Sequence, residues 1–242
     1  MSSNKISTGL KELDNIIRLD DSDNGKLIAL ASRPGMGKST LAVQIALNVA
    51  ASSGKEVLFH SLESSEKQIF EIIDKMIQSY SKSSEKYVAG KSRIIVDDTP
   101  RIAISAIVER LKQTINKPAL IVIDYIALMD IQPAIKHDTQ AIAGELSKLS
   151  KELNIPILVL SPLPRRVNAR NDKRPKISDL NIAEKSDIVI MLYRDKYYSN
   201  VYYENSKSDK SELIVVKNRF GKCGTIECNF NKVLFLAGAE EE

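Results

Sequence analysis

The 242-residue chain has no tryptophan, and aromatic residues make up only 5% of it. Stacking on aromatic platforms, a common way to grip successive bases, is therefore not advertised. Cysteine occurs only at Cys223 and Cys228, with no second pair at metal-ligand spacing. A reduced, cytosolic chain is the simpler reading. No apolar run is long enough to span a bilayer, because the longest are strand length or are broken by Asp124. The opening MSSNKISTG lacks the apolar core of a secretion signal. The expectation is a cytoplasmic protein with no membrane partner. Neither sign of charge dominates: 35 Lys and Arg against 31 Asp and Glu leave +4, with a pI near 8.9. That balance suits nucleic acid or acidic partners without demanding them. No internal repeat is visible. What is present is core material, 43% apolar residues, enough for one α/β domain. Residues 1–24 read as a lead-in and 237–242 as an acidic tail.

The chain is organised around LIALASRPGMGKSTLAVQIALN, residues 27–48. It reads as a buried strand (27–31), a tight loop (32–37) and a helix opening near Lys38, with Leu41, Ile45, Ala46 and Val49 at helical spacing. Strand, glycine loop and helix in that order form the setting of a P-loop. Ser32, Arg33, Pro34, Gly35, Met36, Gly37, Lys38, Ser39 and Thr40 are the expected nucleotide-binding residues. Gly35 and Gly37 let main-chain N–H groups turn toward phosphates, and the helix start adds its positive end. Lys38 would reach the outer phosphates and the Ser39 hydroxyl would bind Mg²⁺. The strict motif has glycine where this chain has Ser32. The plainer alternative is a glycine turn before an ordinary helix.

Further along, 56–61 reads as a strand, and Ser65 with Gln68 has capping-box spacing ahead of a helix with stripe Ile69, Ile72, Ile73, Met76 and Ile77. Residues 79–92 read as a mobile polar loop and 93–96 as a short strand. Ile104, Ile107, Val108, Leu111 and Ile115 mark a helix; 119–123 is a central strand ending at Asp124. A helix carrying Ile142, Leu146, Leu149 and Leu153, strand 155–160, basic loop 162–176, strand 188–192 and polar loop 193–209 follow. Residues 213–217 and 225–230 look like paired strands. The alternation predicts right-handed βαβ crossovers and a mostly parallel sheet with a C-terminal antiparallel hairpin.

Asp124, at the carboxyl end of a central strand, is the candidate second Mg²⁺ ligand; the alternative is a buried acid capping a loop. Glu63 ends another strand and could act as general base, or be a solvated loop acid. Arg165, Arg166, Arg170, Lys173 and Arg174 could neutralise nucleic-acid phosphates, although a charge run is usually a solvated face. Lys217 and Arg219 open a glycine turn, where an arginine could stabilise a neighbouring subunit's γ-phosphate or simply be exposed. Tyr193, Tyr197, Tyr198, Tyr202 and Tyr203 cluster in one loop, with loop packing the simpler explanation. His60 and His137 receive no role.

In order, TGLKELD, SRPGMGKST, FHSLESS, DDTP, IVIDYIALM, KELNIPILVLS, RRVNARNDKRPKISDL, DIVIMLYRDKYY and VVKNRFGKCGT resemble the RecA-like motor domain of DnaB-type replicative helicases, from about Thr8 to Phe235. The resemblance implies a RecA-like P-loop NTPase fold, ATP and Mg²⁺ as cofactors, and ATP hydrolysis driving translocation on single-stranded DNA. It implies Lys38 and Ser39 at phosphate and Mg²⁺, Glu63 as the catalytic glutamate and Asp124 as the metal-site acid. Lys217 and Arg219 would be the pair reaching the next subunit's nucleotide. The implied assembly is a ring, hexameric, with a primase or loader as further partners.

The chain departs from the family in three places. Pro162 stands where the family has a γ-phosphate-sensing glutamine. Residues 181–186 replace a longer DNA-gripping loop, and the family's N-terminal collar and linker helix do not appear in the sequence. Two other readings stay open: an ATP-binding accessory replication protein without unwinding activity, and a recombinase-like filament former.

Overall fold

The computed structural model describes residues 6–19, 25–80, 84–113, 116–130, 138–198 and 209–237. In chain order these form α1 (Lys11–Ile17), β1 (Leu27–Ser32), α2 (Lys38–Ser53), β2 (Val57–Ser61), α3 (Glu66–Ser79), α4 (Ser84–Lys91), β3 (Ile94–Asp97), α5 (Ile104–Gln113) and β4 (Leu120–Asp124). Then come α6 (Thr139–Leu153), β5 (Ile157–Pro162), β6 (Ile188–Arg194), β7 (Asp209–Asn218), β8 (Gly224–Phe230) and β9 (Phe235–Ala237). The strands make one sheet in the order β3-β2-β4-β5-β1-β6-β7-β8-β9. It is parallel from β3 through β6 and antiparallel from there to β9.

β1, β2 and β4 are buried along their whole length, as unbroken apolar strings must be when helices cover both faces. Alternation divides the core in two. Ile28 and Leu30 point into the layer under α2 and α3, while Leu27, Ala29 and Ala31 point into the layer under α5 and α6. The capping box forms as the spacing predicts: Gln68 N–H donates to Ser65 Oγ, and Ser65 N–H donates to Gln68 Oε1 at 2.9 Å.

Four expectations need correction. The segment 79–92 is not simply a loop, because α4 packs across α2 there. Gly90 permits the approach: a Cβ on it would lie 3.0 Å from the Ala51 main-chain nitrogen, and Tyr87 stacks on Tyr80 at 4.0 Å. Strand β6 runs on to Arg194, so Tyr193 is buried in the sheet rather than in a loop. The cause is β7, which begins at Asp209 and pairs Arg194 with Ser211 and Tyr193 with Glu212. The hairpin also has a third strand, β9. Buried Gln44 on α2 pins it, donating from Nε2 to Phe235 C=O and accepting Phe235 N–H at Oε1, both at 2.8 Å. Finally, β5 extends through Pro162, which pairs with Ser32 at the carboxyl end of this central strand, beyond the last residue paired with β4. Ile115, His137, Tyr202, Tyr203 and the acidic residues 240–242 lie outside the described residues.

Candidate active site

The loop between β1 and α2 takes the shape the glycines allow. Gly35 has φ +81° and Gly37 has φ +93°, both in the left-handed region where a Cβ is strained. Gly37 is the N-cap of α2, a 16-residue helix, and no side chain caps it. Its first N–H groups and the positive end of the helix macrodipole are therefore directed to the loop mouth, a ready anion site. Not all the loop side chains belong to that mouth. Ser32 is buried, with Oγ donating to the Arg33 carbonyl at 2.9 Å, and Met36 is buried in the core. Ser32, which stands where the strict motif has glycine, turns its side chain onto the next residue's carbonyl rather than into the loop mouth.

In front of the loop lies a cavity of about 550 Å³ lined by Arg33, Pro34, Gly35, Gly37, Lys38, Ser39, Thr40, Glu63, Ser64, Tyr125, Pro162, Arg194 and Phe230. That volume suits a mid-sized ligand. Parallel βαβ sheets put their ligand crevice at the carboxyl ends of the strands, and β1, β2, β4 and β5 all deliver residues here. Asp124, last in β4, is 2% exposed, and its Oδ1 has no hydrogen-bond partner. It meets Lys38 Nζ as an ion pair at 3.5 Å. A buried carboxylate oxygen that has an ammonium at 3.5 Å but accepts no hydrogen bond is costly unless something further meets it. A divalent cation with its waters fits that donor set of Ser39 and Asp124. Glu63, just past β2, is exposed at the cavity rim, where a carboxylate can reach a water. Pro162 offers the rim neither an N–H nor a polar side chain.

The sequence profile of the DnaB-like helicase C terminal domain matches residues 5–235. The chain belongs to that family. It is 33% identical over 256 aligned residues to the replicative DNA helicase DnaB of Geobacillus stearothermophilus, covering 94% of this chain and 55% of that protein. Against the replicative DNA helicase DnaB of Rickettsia prowazekii the identity is 35% over 277 aligned residues, covering 93% and 56%. The chain thus spans about half the length of these curated relatives. Among solved structures, one described as an ATPase domain superposes with a TM-score of 0.77 at 26% identity, covering 97% of this chain and 92% of that one. A DnaB-like replicative helicase described together with its interactions with primase gives 0.80 at 27%, covering 96% and 63%. The RecA-like fold, a mostly parallel sheet with appended antiparallel strands, is shared with both.

In this DnaB-like domain the other candidate residues lie apart from the cavity. Lys217 and Arg219 sit at the β7 end paired with Ile188 and Val189, the amino-terminal edge of the parallel strands. The cavity is at the opposite edge, about 15–20 Å away along strands of five or six residues. The cavity of the same chain is out of their reach. Lys217 Nζ donates to the carbonyls of Ala183 (2.7 Å) and Glu184 (3.1 Å). Burial first, and then the neighbouring Arg219 charge, pull its pKa below the ordinary 10.5.

The basic loop does not form one phosphate-facing row. Arg170 forks onto Asp179, with N–O distances of 3.0 and 2.9 Å. Burial opposes the charge on Asp179, but Arg170 and the Lys176 N–H outweigh it and hold that carboxyl below its usual range. Arg174 forks onto Glu212 at 2.8 and 2.5 Å and lies over the Tyr193 ring. These two arginines hold the segment in place. Arg165 and Arg166 stay exposed, the latter donating to Ser178 C=O at 3.0 Å. Lys173 lies over Tyr198.

Sequence reasoning missed four cavity residues, Ser64, Tyr125, Arg194 and Phe230. Arg194 donates to the Met36 carbonyl at 3.2 Å and lies 4.5 Å over the Phe230 ring. Lys38 Nζ lies 5.7 Å over Tyr125. Nothing in their spacing from Gly37 and Lys38 relates them to the loop; only the folded sheet, which brings the ends of β4, β6 and β8 to the loop after β1, does. Among the described residues no helix is long and apolar enough to cross a membrane.

Proposed function

We propose that this chain is the ATP-hydrolysing motor of a replicative DNA helicase, which moves along single-stranded DNA as a self-assembled ring. The observation that carries this reading is the open, buried Asp124 oxygen beside Lys38 at an uncapped helix start, in a chain of the DnaB-like family. Mg²⁺ held by Ser39 and Asp124 would supply charge neutralisation on the phosphate oxygens. Main-chain N–H groups of the loop bind the phosphates, and the Lys38 ammonium fixes the outer ones. The Glu63 carboxylate orients the attacking water and accepts its proton. Lys217 and Arg219 of a second copy complete the site. Because these two lie at the edge opposite the cavity, copies associate head to tail, and closure of that operation makes a ring, six-membered as the resemblance implies. Arg165, Arg166 and Lys173 face the DNA strand. A primase or loader is the expected further partner, the compartment is the cytoplasm, and residues 1–242 act as one domain.

ATP turnover with and without single-stranded DNA, alongside a mass measurement with nucleotide present, tests the reading. Turnover is expected to rise with DNA and to vanish in Lys38→Ala. Unchanged turnover in Lys38→Ala rejects it. Pro162 at the cavity rim favours a second reading, an ATP-binding accessory replication protein. Tight ATP binding with neither strand separation nor DNA stimulation selects that one.

A further inference from the structure

The position of Arg219 is not what strand alternation dictates. Along the β6–β7 ladder Ile190 faces Val215 and Val189 faces Lys217, so Val216 is an extra residue, a β-bulge. Before it, Leu213 and Val215 point into the core layer under α2, and Ile214 and Val216 pack against the layer under α6. Simple alternation would send Lys217 to the same side as Val215. The bulge reverses the phase, and Lys217 instead reaches the carbonyls of Ala183 and Glu184, on the α6 side.

Arg219 follows two residues on and is held twice by Asp187 and once by Glu184. Its main-chain N–H donates to the Asp187 carbonyl at 3.0 Å, and its Nη1 donates to Asp187 Oδ1, also at 3.0 Å. The Leu27 N–H donates to the other carboxylate oxygen, Oδ2, at 3.0 Å, so the acid is itself fixed to the central strand. Nη2 of Arg219 donates to Glu184 C=O at 3.2 Å. Asp187 is 1% exposed, while the Arg219 side chain is 47% exposed. Lys151 Nζ, at 3.9 Å, is the other cation near this carboxylate. Capping the Leu27 N–H needs only a neutral acceptor. Burying a full carboxylate there is costly unless a cation is paired with it in good geometry, and the cation so fixed is Arg219. The bonds to Asp187 and to the Glu184 carbonyl use two of the five guanidinium N–H donors. The remaining three have no partner among the described residues, and the side chain borders an open groove beside Gln140, Glu145, Lys148 and Lys185.

We propose that Asp187 is the positioning residue for Arg219, holding the guanidinium at the subunit edge in the orientation that meets a nucleotide bound by a second copy. This rests on the trans role of Arg219 given above.

The test measures nucleotide affinity and turnover for the full chain, Asp187→Asn, Arg219→Ala and equal mixtures of each with Lys38→Ala. A loosened guanidinium leaves ATP affinity within about twofold of the wild type, while kcat falls about 100-fold. Mixing Asp187→Asn with Lys38→Ala restores turnover, because one chain then supplies an intact P-loop and the other an intact Arg219. If kcat survives in Asp187→Asn but not in Arg219→Ala, the positioning role is wrong and the trans role stands. If Arg219→Ala turns over normally, or the wild type not at all, both are wrong. Loss of ATP affinity in Asp187→Asn without recovery in the mixture overturns the positioning role in favour of simple support for β1. Should the Asn variant not fold, Asp187→Ser, which keeps an acceptor for Leu27 N–H, is read in the same way.

Discussion

His60 makes the stability of this domain depend on pH in a window that can be calculated. The side chain is 1% exposed, and neither ring nitrogen has a hydrogen-bond partner. Asp97 Oδ2 stands 3.5 Å from Nδ1 and is itself bonded to Arg110. Burial is the largest influence and disfavours the imidazolium; Asp97 favours it, Arg110 opposes it, and the pKa falls from 6.5 to about 4. At pH 7 the ring is neutral in the folded and unfolded chains, so it contributes nothing. Below pH 6.5 the unfolded chain takes up a proton that the folded chain refuses, and stability falls until the pH reaches about 4. At about 1.4 kcal/mol per pH unit, the loss is about 2 kcal/mol at pH 5 and about 3 kcal/mol at pH 4. Asp97 acts lower on the scale. Burial opposes its charge, but hydrogen bonds from Thr99 and the Arg110 charge hold its pKa below 3.8. Its contribution is therefore present above pH 3.8 and lost as the pH drops through the lower folded value. The interval from pH 6.5 to 5 isolates the histidine. Urea unfolding at pH 7 and pH 5, on the wild type and on His60→Leu, measures it. The wild type is expected to lose about 2 kcal/mol more than the variant. Equal losses in the two chains would refute the argument, since the ring would then be charging in the folded state or titrating normally.

Two further outcomes test the packing around the site. Gly37→Ala places a Cβ 3.1 Å from the Phe235 ring at φ +93°, which should cost about 1–3 kcal/mol in thermal melting. The displaced N–H groups should weaken ATP binding about tenfold or more by calorimetric titration; an Ala variant that binds normally would mean that the α2 start does not face the phosphates. Gly90→Leu drives a side chain into the main chain of Ala51 and should lower stability by about 1–3 kcal/mol. Because α4 lies outside the cavity, its ATP affinity should stay at the wild-type level.

The parts of the site that were legible in the sequence are those set by neighbours along the chain. A P-loop is one strand, one loop and one helix, so Gly35, Gly37, Lys38 and Ser39 announce it within a few residues. The Ser65–Gln68 cap is equally local and formed as its spacing predicts. Glu63 and Asp124 were candidates because each closes an apolar strand, and in a parallel sheet those ends share one edge. The same logic misjudged 79–92, where a short polar stretch becomes a helix because Gly90 lets it settle on α2. It also failed to see β9, which is held by one hydrogen bond donated by Gln44 and one accepted by it, 191 residues earlier in the chain.

The sequence by itself determined the crossover pattern, the glycine loop between β1 and α2 and the order of the strand-end acids, since each follows from short-range periodicity and stereochemistry. Only the tertiary structure decided which of the basic residues are available. Arg170 and Arg174 are bound to Asp179 and Glu212, which lie 9 and 38 residues away. Arg219 is held by Asp187, 32 residues away, and a bulge at Val216 reverses the side-chain phase just before it. A charge in a sequence has no direction until the fold supplies the opposite charge that fixes it, and those partners meet only when the sheet closes.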